Sequence, residues 1–215
     1  MSVGGLPRII NERPFLDYEV TWSIDGLLNE YRDDCEILNN GLIEKVPGMS
    51  GHQEFEIHIP GGNSIAFERF YTSGGASHSI RDMMNRGVRH CSYSTIRYPG
   101  HRNQMQSLLK AFSDDEIRNI LEHNCMNDFE DVVVMTINAE SDDGYIIYDK
   151  VNIVVEDDEY TAMQKCTAFP TVAVVYQTLN AIADGYGCKG PLTYASVDYE
   201  QFTNLLSVLI KQDVM

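Results

Sequence analysis

The sequence predicts an α+β domain, a largely antiparallel mixed sheet covered by helices. β-like runs come in pairs separated by short turns, so they read as hairpins. Helix-like runs fall between the pairs without a strand–helix–strand alternation. No Gly-x-Gly-x-x-Gly follows a strand and opens a helix, so no dinucleotide-binding half is expected in the chain. With 215 residues, 43% of them hydrophobic, residues 1–215 suit one domain with a sizeable core.

The elements follow in order. "YEVTWSI" (18–24) alternates and is rich in β-formers, which predicts a strand. "DGLLNEYR" (25–32) places Leu27, Leu28 and Tyr31 on one face of a helix. "CEILNNGLIEKV" (35–46) is a hairpin around Asn40-Gly41. "EFEIHI" (54–59) alternates, the turn "PGGN" (60–63) follows, and "SIAFERFYT" (64–72) completes a second antiparallel pair. A short helix over 79–87 closes at Gly87, and "HCSYSTIRY" (90–98) is a strand that stops at Pro99-Gly100. A helix over 101–112 has Met105, Leu108, Leu109 and Phe112 on one side, and Ser113 with Glu116 makes a capping box for a helix over 114–124. Two long strands (131–140 and 145–155) meet at Asp143-Gly144. "TAFP" (167–170) is expected to start a helix running to Gly185, with Thr167 as cap and Pro170 in its first turn. A last helix over 198–211 has Asp198 as its cap.

The charge of −16, from 16 Lys+Arg against 32 Asp+Glu, repels phosphate backbones and anionic membranes. No nucleic-acid partner and no membrane partner are expected. No run of 18 apolar residues and no signal peptide is visible, and five scattered cysteines lack a CxxC pair; a cytoplasmic protein with reduced thiols is expected. The acidic clusters lack the spacing of a calcium loop, and the six histidines lack zinc spacing, so no metal is expected.

Against this acidic background, "IRYPGHRNQM" (96–105) sets Arg97, His101 and Arg102 around one tight turn. Arg97 at a strand end can hold a carboxylate in a fork, with little part in packing, and His101 in the first helical turn can titrate near neutral pH. "FERFYTSGGASHS" (67–79) follows a strand end with Thr72, Ser73, Gly74 and Gly75, whose hydroxyls and N–H groups can bind a carboxylate.

These turns come in a family-like order. "GGLP" (4–7), "VTWSIDGLLNEY" (20–31), "NGLIEKVPG" (40–48), "FERFYTSGG" (67–75), "RYPGH" (97–101), "DVVVMTI" (131–137) and "YTAMQKCTAFPTVAV" (160–174) together resemble the C-terminal domain of saccharopine dehydrogenase-like proteins, closest to the lysine 6-dehydrogenase and saccharopine reductase group. The resemblance covers almost the whole chain. It implies the substrate-binding and dimerisation domain of an NAD(P)-dependent oxidoreductase that acts on the C–N bond of an amino acid in lysine metabolism. The cofactor, NAD or NADP, would sit on a separate Rossmann domain, and this chain alone is expected to bind none. A homodimer, an amino-acid substrate and a separate NAD(P)-binding subunit are the implied partners. His101 and Glu68 are the implied catalytic residues, with Glu68 pairing with the substrate ammonium. Arg97, Thr72, Ser73, Gly74, Trp22 and Thr167 are the implied substrate-binding residues. The alternative is a non-catalytic binding or assembly module that has lost the dehydrogenase activity. Two departures stand out. Ile24 and Asp25 occupy places where saccharopine reductases usually carry Pro and Arg, and "GCKGPLTY" (187–194) lacks the Pro-Glu that relatives tend to have. An acid at position 25 argues against a doubly carboxylated, saccharopine-shaped ligand.

Overall fold

The computed structural model describes residues 1–8, 14–58, 62, 64–75, 79–126, 130–185 and 197–210. Most of the expected "PGGN" turn, residues 76–78 and the whole of "GCKGPLTY" lie outside these. The chain divides into two units, Met1–Ile153 and Val154–Met215.

The first unit is built on a six-stranded sheet. Its strands are β1 (Ser2–Pro7), β4 (Gln53–His58), β5 (Ser64–Phe70), β6 (Ser94–Arg97), β7 (Asp131–Glu140) and β8 (Ile146–Val155). They lie in the order β4-β5-β6-β1-β7-β8. β4/β5, β5/β6 and β1/β7 pair antiparallel, and β1/β6 is parallel, so the sheet is mixed and largely antiparallel. The expected hairpin around Asn40-Gly41 forms a separate two-stranded sheet, β2 (Cys35–Asn39) with β3 (Leu42–Val46). Both turn residues take positive φ, as a two-residue hairpin turn needs.

Four helices belong to this unit: α1 (Ile24–Arg32), α2 (Ser79–Asn85), α3 (His101–Ala111) and α4 (Asp114–Asn124). α1 packs on α4, and α3 packs on α4 and on a 3-10 turn at Phe15–Asp17. Leu27, Leu28 and Tyr31 of α1 meet Phe70, Met105, Ile117 and Leu121 in the main core. α4 starts with the capping box of Ser113 and Glu116 that the sequence predicts.

Two expectations are corrected, and one strand was not expected. Residues 18–24 are not a strand. Tyr18 and Val20 are buried, but the Val20 N–H donates to the Cys125 carbonyl at the end of α4, and Ser23 caps α1 through the Gly26 N–H. The alternation therefore reports burial of an extended segment against a helix end. The strand expected over 90–98 shortens to Ser94–Arg97, preceded by an isolated bridge between Cys91 and Leu38. β1 was hidden because "SVGGLP" carries two glycines and a proline. It is nonetheless an inner strand. A Cβ on Gly4 would stand 2.4 Å from the Ile96 carbonyl oxygen, so glycine is what lets β6 lie so close.

The second unit holds α5 (Ala162–Ala183) and α6 (Tyr199–Leu209), which pack on each other. α5 starts a turn and a half earlier than expected. Thr161, not Thr167, is its cap, in a capping box with Gln164. Pro170 lies inside the helix rather than in its first turn. Proline removes one N–H from the ladder there. Hydroxyls nearby bond back to the helix, Thr167 Oγ1 to the Met163 carbonyl and Thr171 Oγ1 to the Thr167 carbonyl. Asp198 caps α6 by accepting from the Gln201 N–H. Among the described residues no helix is long and apolar enough to cross a membrane.

Candidate functional site

The basic turn of the sequence lies at the end of β6. Tyr98, Pro99 and Gly100 carry the chain from Arg97 into α3, and Gly100 takes φ 97°, a conformation that glycine accepts without strain. Arg97 and His101 are both buried, Arg97 at 4% exposure and His101 at 0%. They are joined through Tyr31 of α1. Arg97 Nε donates to the Tyr31 hydroxyl oxygen at 2.9 Å, and the same hydroxyl lies 2.9 Å from His101 Nε2. His101 Nδ1 lies 3.1 Å from the Leu16 carbonyl. A carbonyl only accepts, so Nδ1 carries the proton, Nε2 accepts, and Tyr31 donates to it. Each member of this relay has one consistent direction.

The relay fixes the charge state. Burial, and then the positive charge of Arg97, push the His101 imidazole down to about 3. His101 is thus neutral across the ordinary pH range, and the expectation of a group titrating near neutrality is corrected. The sequence places it at a helix start, and only the fold surrounds it with a cation and apolar walls. Leu16 presents its carbonyl from a turn with φ 63°, a left-handed conformation that a leucine rarely adopts. The Arg97 guanidinium stacks on the Tyr18 ring, 4.8 Å from its centroid, and lies 5.9 Å from that of Tyr31. Nη1 donates to the Ile96 carbonyl at 2.9 Å. Arg97 therefore contributes to packing, contrary to the expectation of a strand-end side chain with little part in it.

Glu68 faces Arg97 across the β5/β6 ladder but does not pair with it. Its buried carboxylate accepts from the Gly100 N–H at 3.1 Å, from the Arg102 N–H at 2.6 Å and from His52 Nε2 at 3.1 Å. A carboxylate at the first N–H groups of a helix is stabilised by the orphan donors and the helix dipole. Glu68 is the cap of α3, supplied from another strand. The role expected from the sequence, pairing with a substrate ammonium, meets a carboxylate that is buried and already accepts from three donors.

The turn after β5 docks on α1. Thr72 is buried and its hydroxyl donates to Thr95 Oγ1 at 3.2 Å. The Ser73 N–H donates to the Glu30 carbonyl at 3.1 Å, and Gly74 takes φ 88°. Trp22 is 42% exposed and lies across Gly26, where a Cβ would meet the indole at 2.4 Å. The first unit thus gathers Arg97, His101, Glu68, Thr72, Ser73, Gly74 and Trp22 at the β5–β6 end of the sheet and the facing side of α1. Thr167 belongs to the second unit, where its hydroxyl is taken by its own helix. Tyr18 and Tyr31 carry much of the geometry, and sequence reasoning assigned them no role. The readable signal was Tyr31 on the Leu27-Leu28 face, since a buried tyrosine needs a partner for its hydroxyl.

Asp25 pairs with Arg118 of α4 at 2.5 Å. Among the described residues, the N-terminus of α3 does not offer free N–H groups to a dinucleotide. The helix that follows directly on a strand in this unit is α3, and Glu68 already occupies its terminal N–H groups, which a pyrophosphate would need. Among the described residues no group of three or more His, Cys, Asp or Glu could hold a metal.

Comparison with known proteins places these features in a setting. A family model described as the saccharopine dehydrogenase C-terminal domain matches residues 1–212. The solved structure of apo histidine-tagged saccharopine dehydrogenase (L-Glu forming) from Saccharomyces cerevisiae is similar, with a TM-score of 0.60 and 17% identity. That likeness covers 98% of this chain and 63% of the yeast chain, and at such an identity it is a likeness of fold.

Proposed function

Because the chain belongs to the saccharopine dehydrogenase C-terminal domain family, we propose that it is the substrate-binding and dimerisation domain of an NAD(P)-dependent oxidoreductase acting on the C–N bond of an amino acid, of lysine or saccharopine type. The observation that carries this reading is the buried Arg97. It is held rigidly by Tyr31 and Tyr18, and its second terminal nitrogen, Nη2, has no partner among the described residues. A pre-oriented guanidinium with a spare donor suits a substrate carboxylate. The nicotinamide cofactor would supply hydride transfer from a domain of its own. The residues here would bind and orient the amino acid, with the Tyr31–His101 relay holding Arg97 in place.

Dimerisation is supported by exposed apolar side chains within each unit. Tyr145 and, in β8, Ile146, Ile147 and Tyr148 are exposed, and α5 exposes Val175, Tyr176, Leu179 and Ile182. Such surfaces mark interaction sites. The same surfaces would serve a non-catalytic assembly module, and ligand binding separates the two readings. NMR titration of the chain with L-lysine, L-saccharopine and L-glutamate is the test. Saturable shifts at β6 and α1 are expected for at least one amino acid. No shift with any of them, from a folded chain that self-associates, would leave the assembly module as the function.

A further inference from the structure

Three polar groups in the first unit find no hydrogen-bond partner among the described residues. The first is Arg97 Nη2. The second is the Tyr18 hydroxyl, fully buried and without a hydrogen bond. The Trp22 indole is near enough to draw its pKa down but makes no bond of acceptable geometry. The third is the half-buried Glu30 carboxylate, which makes neither a hydrogen bond nor an ion pair.

Several facts bring them together. Burial raises the Glu30 pKa and the Arg97 charge draws it back, so carboxylate and guanidinium feel each other without touching. Glu30 also acts on Tyr18 and Tyr93. The turn after β5 is pinned to the Glu30 carbonyl by the Ser73 N–H. A Cβ on Gly74 would stand 3.7 Å from Glu30 Oε1, so that backbone runs beside the carboxylate. Tyr93 lies against Gly75, where a Cβ would meet its ring at 2.2 Å.

A buried polar group is almost always satisfied, so the Tyr18 hydroxyl calls for a missing partner. Together with the open donor of Arg97 and the half-buried Glu30 carboxylate it has the charge pattern that complements a small zwitterion. Opposite charges that do not pair with each other can each take the complementary group of one ligand. We propose that Glu30, Arg97 and Tyr18 form a subsite for the α-amino-acid head group, with Glu30 receiving the ammonium and Arg97 Nη2 and the Tyr18 hydroxyl donating to the carboxylate. This deepens the amino-acid reading above and rests on it. It gives Glu30 the job that the sequence suggested for Glu68, whose carboxylate caps α3. It also limits this point to one carboxylate, because Glu30 repels a second.

The test uses the full chain and three probes of matched length. L-Norleucine has both head groups, hexanoate lacks the amine, and pentylamine lacks the carboxylate. NMR titration is expected to give norleucine at least tenfold tighter binding than either fragment. Glu30→Gln should weaken norleucine about tenfold, the change expected from loss of one charge-assisted hydrogen bond, and should not weaken hexanoate, whose carboxylate loses a repelling neighbour. Glu30→Asp should recover part of the affinity. Tyr18→Phe should weaken norleucine and hexanoate alike and spare pentylamine; if it fails to fold, the Glu30 variants decide alone, since their side chain is half-buried. Norleucine binding unchanged by Glu30→Gln would overturn the subsite and leave the amino-acid reading standing. No binding of norleucine, lysine, saccharopine or glutamate to the folded wild-type chain would overturn both.

Discussion

Each residue of the buried relay has its role set by its neighbours. His101 can stay neutral because Tyr31 offers a proton to Nε2 while Leu16 accepts one from Nδ1. Its pKa, near 6.5 when exposed and about 3 here, links folding to pH. Below 6.5 the unfolded chain takes up a proton that the native chain refuses. The native state therefore loses stability as pH falls from 6.5 toward 3. Between pH 7 and pH 5 the loss from this group is about 2 kcal/mol. His101→Gln keeps a donor and an acceptor without a titratable ring. Urea denaturation at the two pH values should show the variant losing about 2 kcal/mol less than wild type. Equal losses would mean that His101 is protonated in the native state.

Among the elements, α3 is the one that positions the site, and its start is held by a residue from β5. Glu68 supplies both the charge and the acceptors that the sequence of α3 lacks, since Gly100 at the cap position has no side chain. Glu68→Ala should cost about 2 kcal/mol, the size of a lost cap with charged hydrogen bonds. Hydrogen exchange should reveal faster opening at the first turn of α3, with β4 and β7 changed far less. If protection falls evenly over the unit, the role of Glu68 is general packing rather than capping.

For the whole molecule, apolar exposure and net charge oppose each other. β8 and α5 present apolar side chains that favour association, while a charge of −16 makes two copies repel. Salt screens that repulsion, with a Debye length of about 10 Å at 0.1 M. Self-association measured by sedimentation should therefore strengthen from low to moderate salt. Leu179→Glu, at a side chain 59% exposed, should weaken the dimer at least tenfold while leaving the circular dichroism spectrum unchanged. A wild-type chain that stays monomeric at high concentration and moderate salt would remove dimerisation from the proposed function.

By itself the sequence determined what depends on neighbours along the chain. The Asn40-Gly41 hairpin, the Ser113 capping box, the Asp198 cap and the α+β class follow from local turn chemistry and periodicity, which act over a few residues. The short motifs in order also pointed to the family that matches residues 1–212. Tertiary structure decided the rest. β1 became an inner strand because Gly4 allows the close approach of Ile96, which no propensity reports. Residues 18–24 lost their ladder to a helix end, and α5 took the earlier of two threonine caps because Gln164 completes a capping box there. At the site, Arg97, His101 and Glu68 were visible as residues but not as charges with partners. Their states depend on desolvation and on Tyr31, Leu16, Gly100 and Glu30, which lie as many as 85 positions away along the chain. Burial and Coulomb interaction act through space, so a one-dimensional reading names the side chains and only the folded chain fixes what each can do.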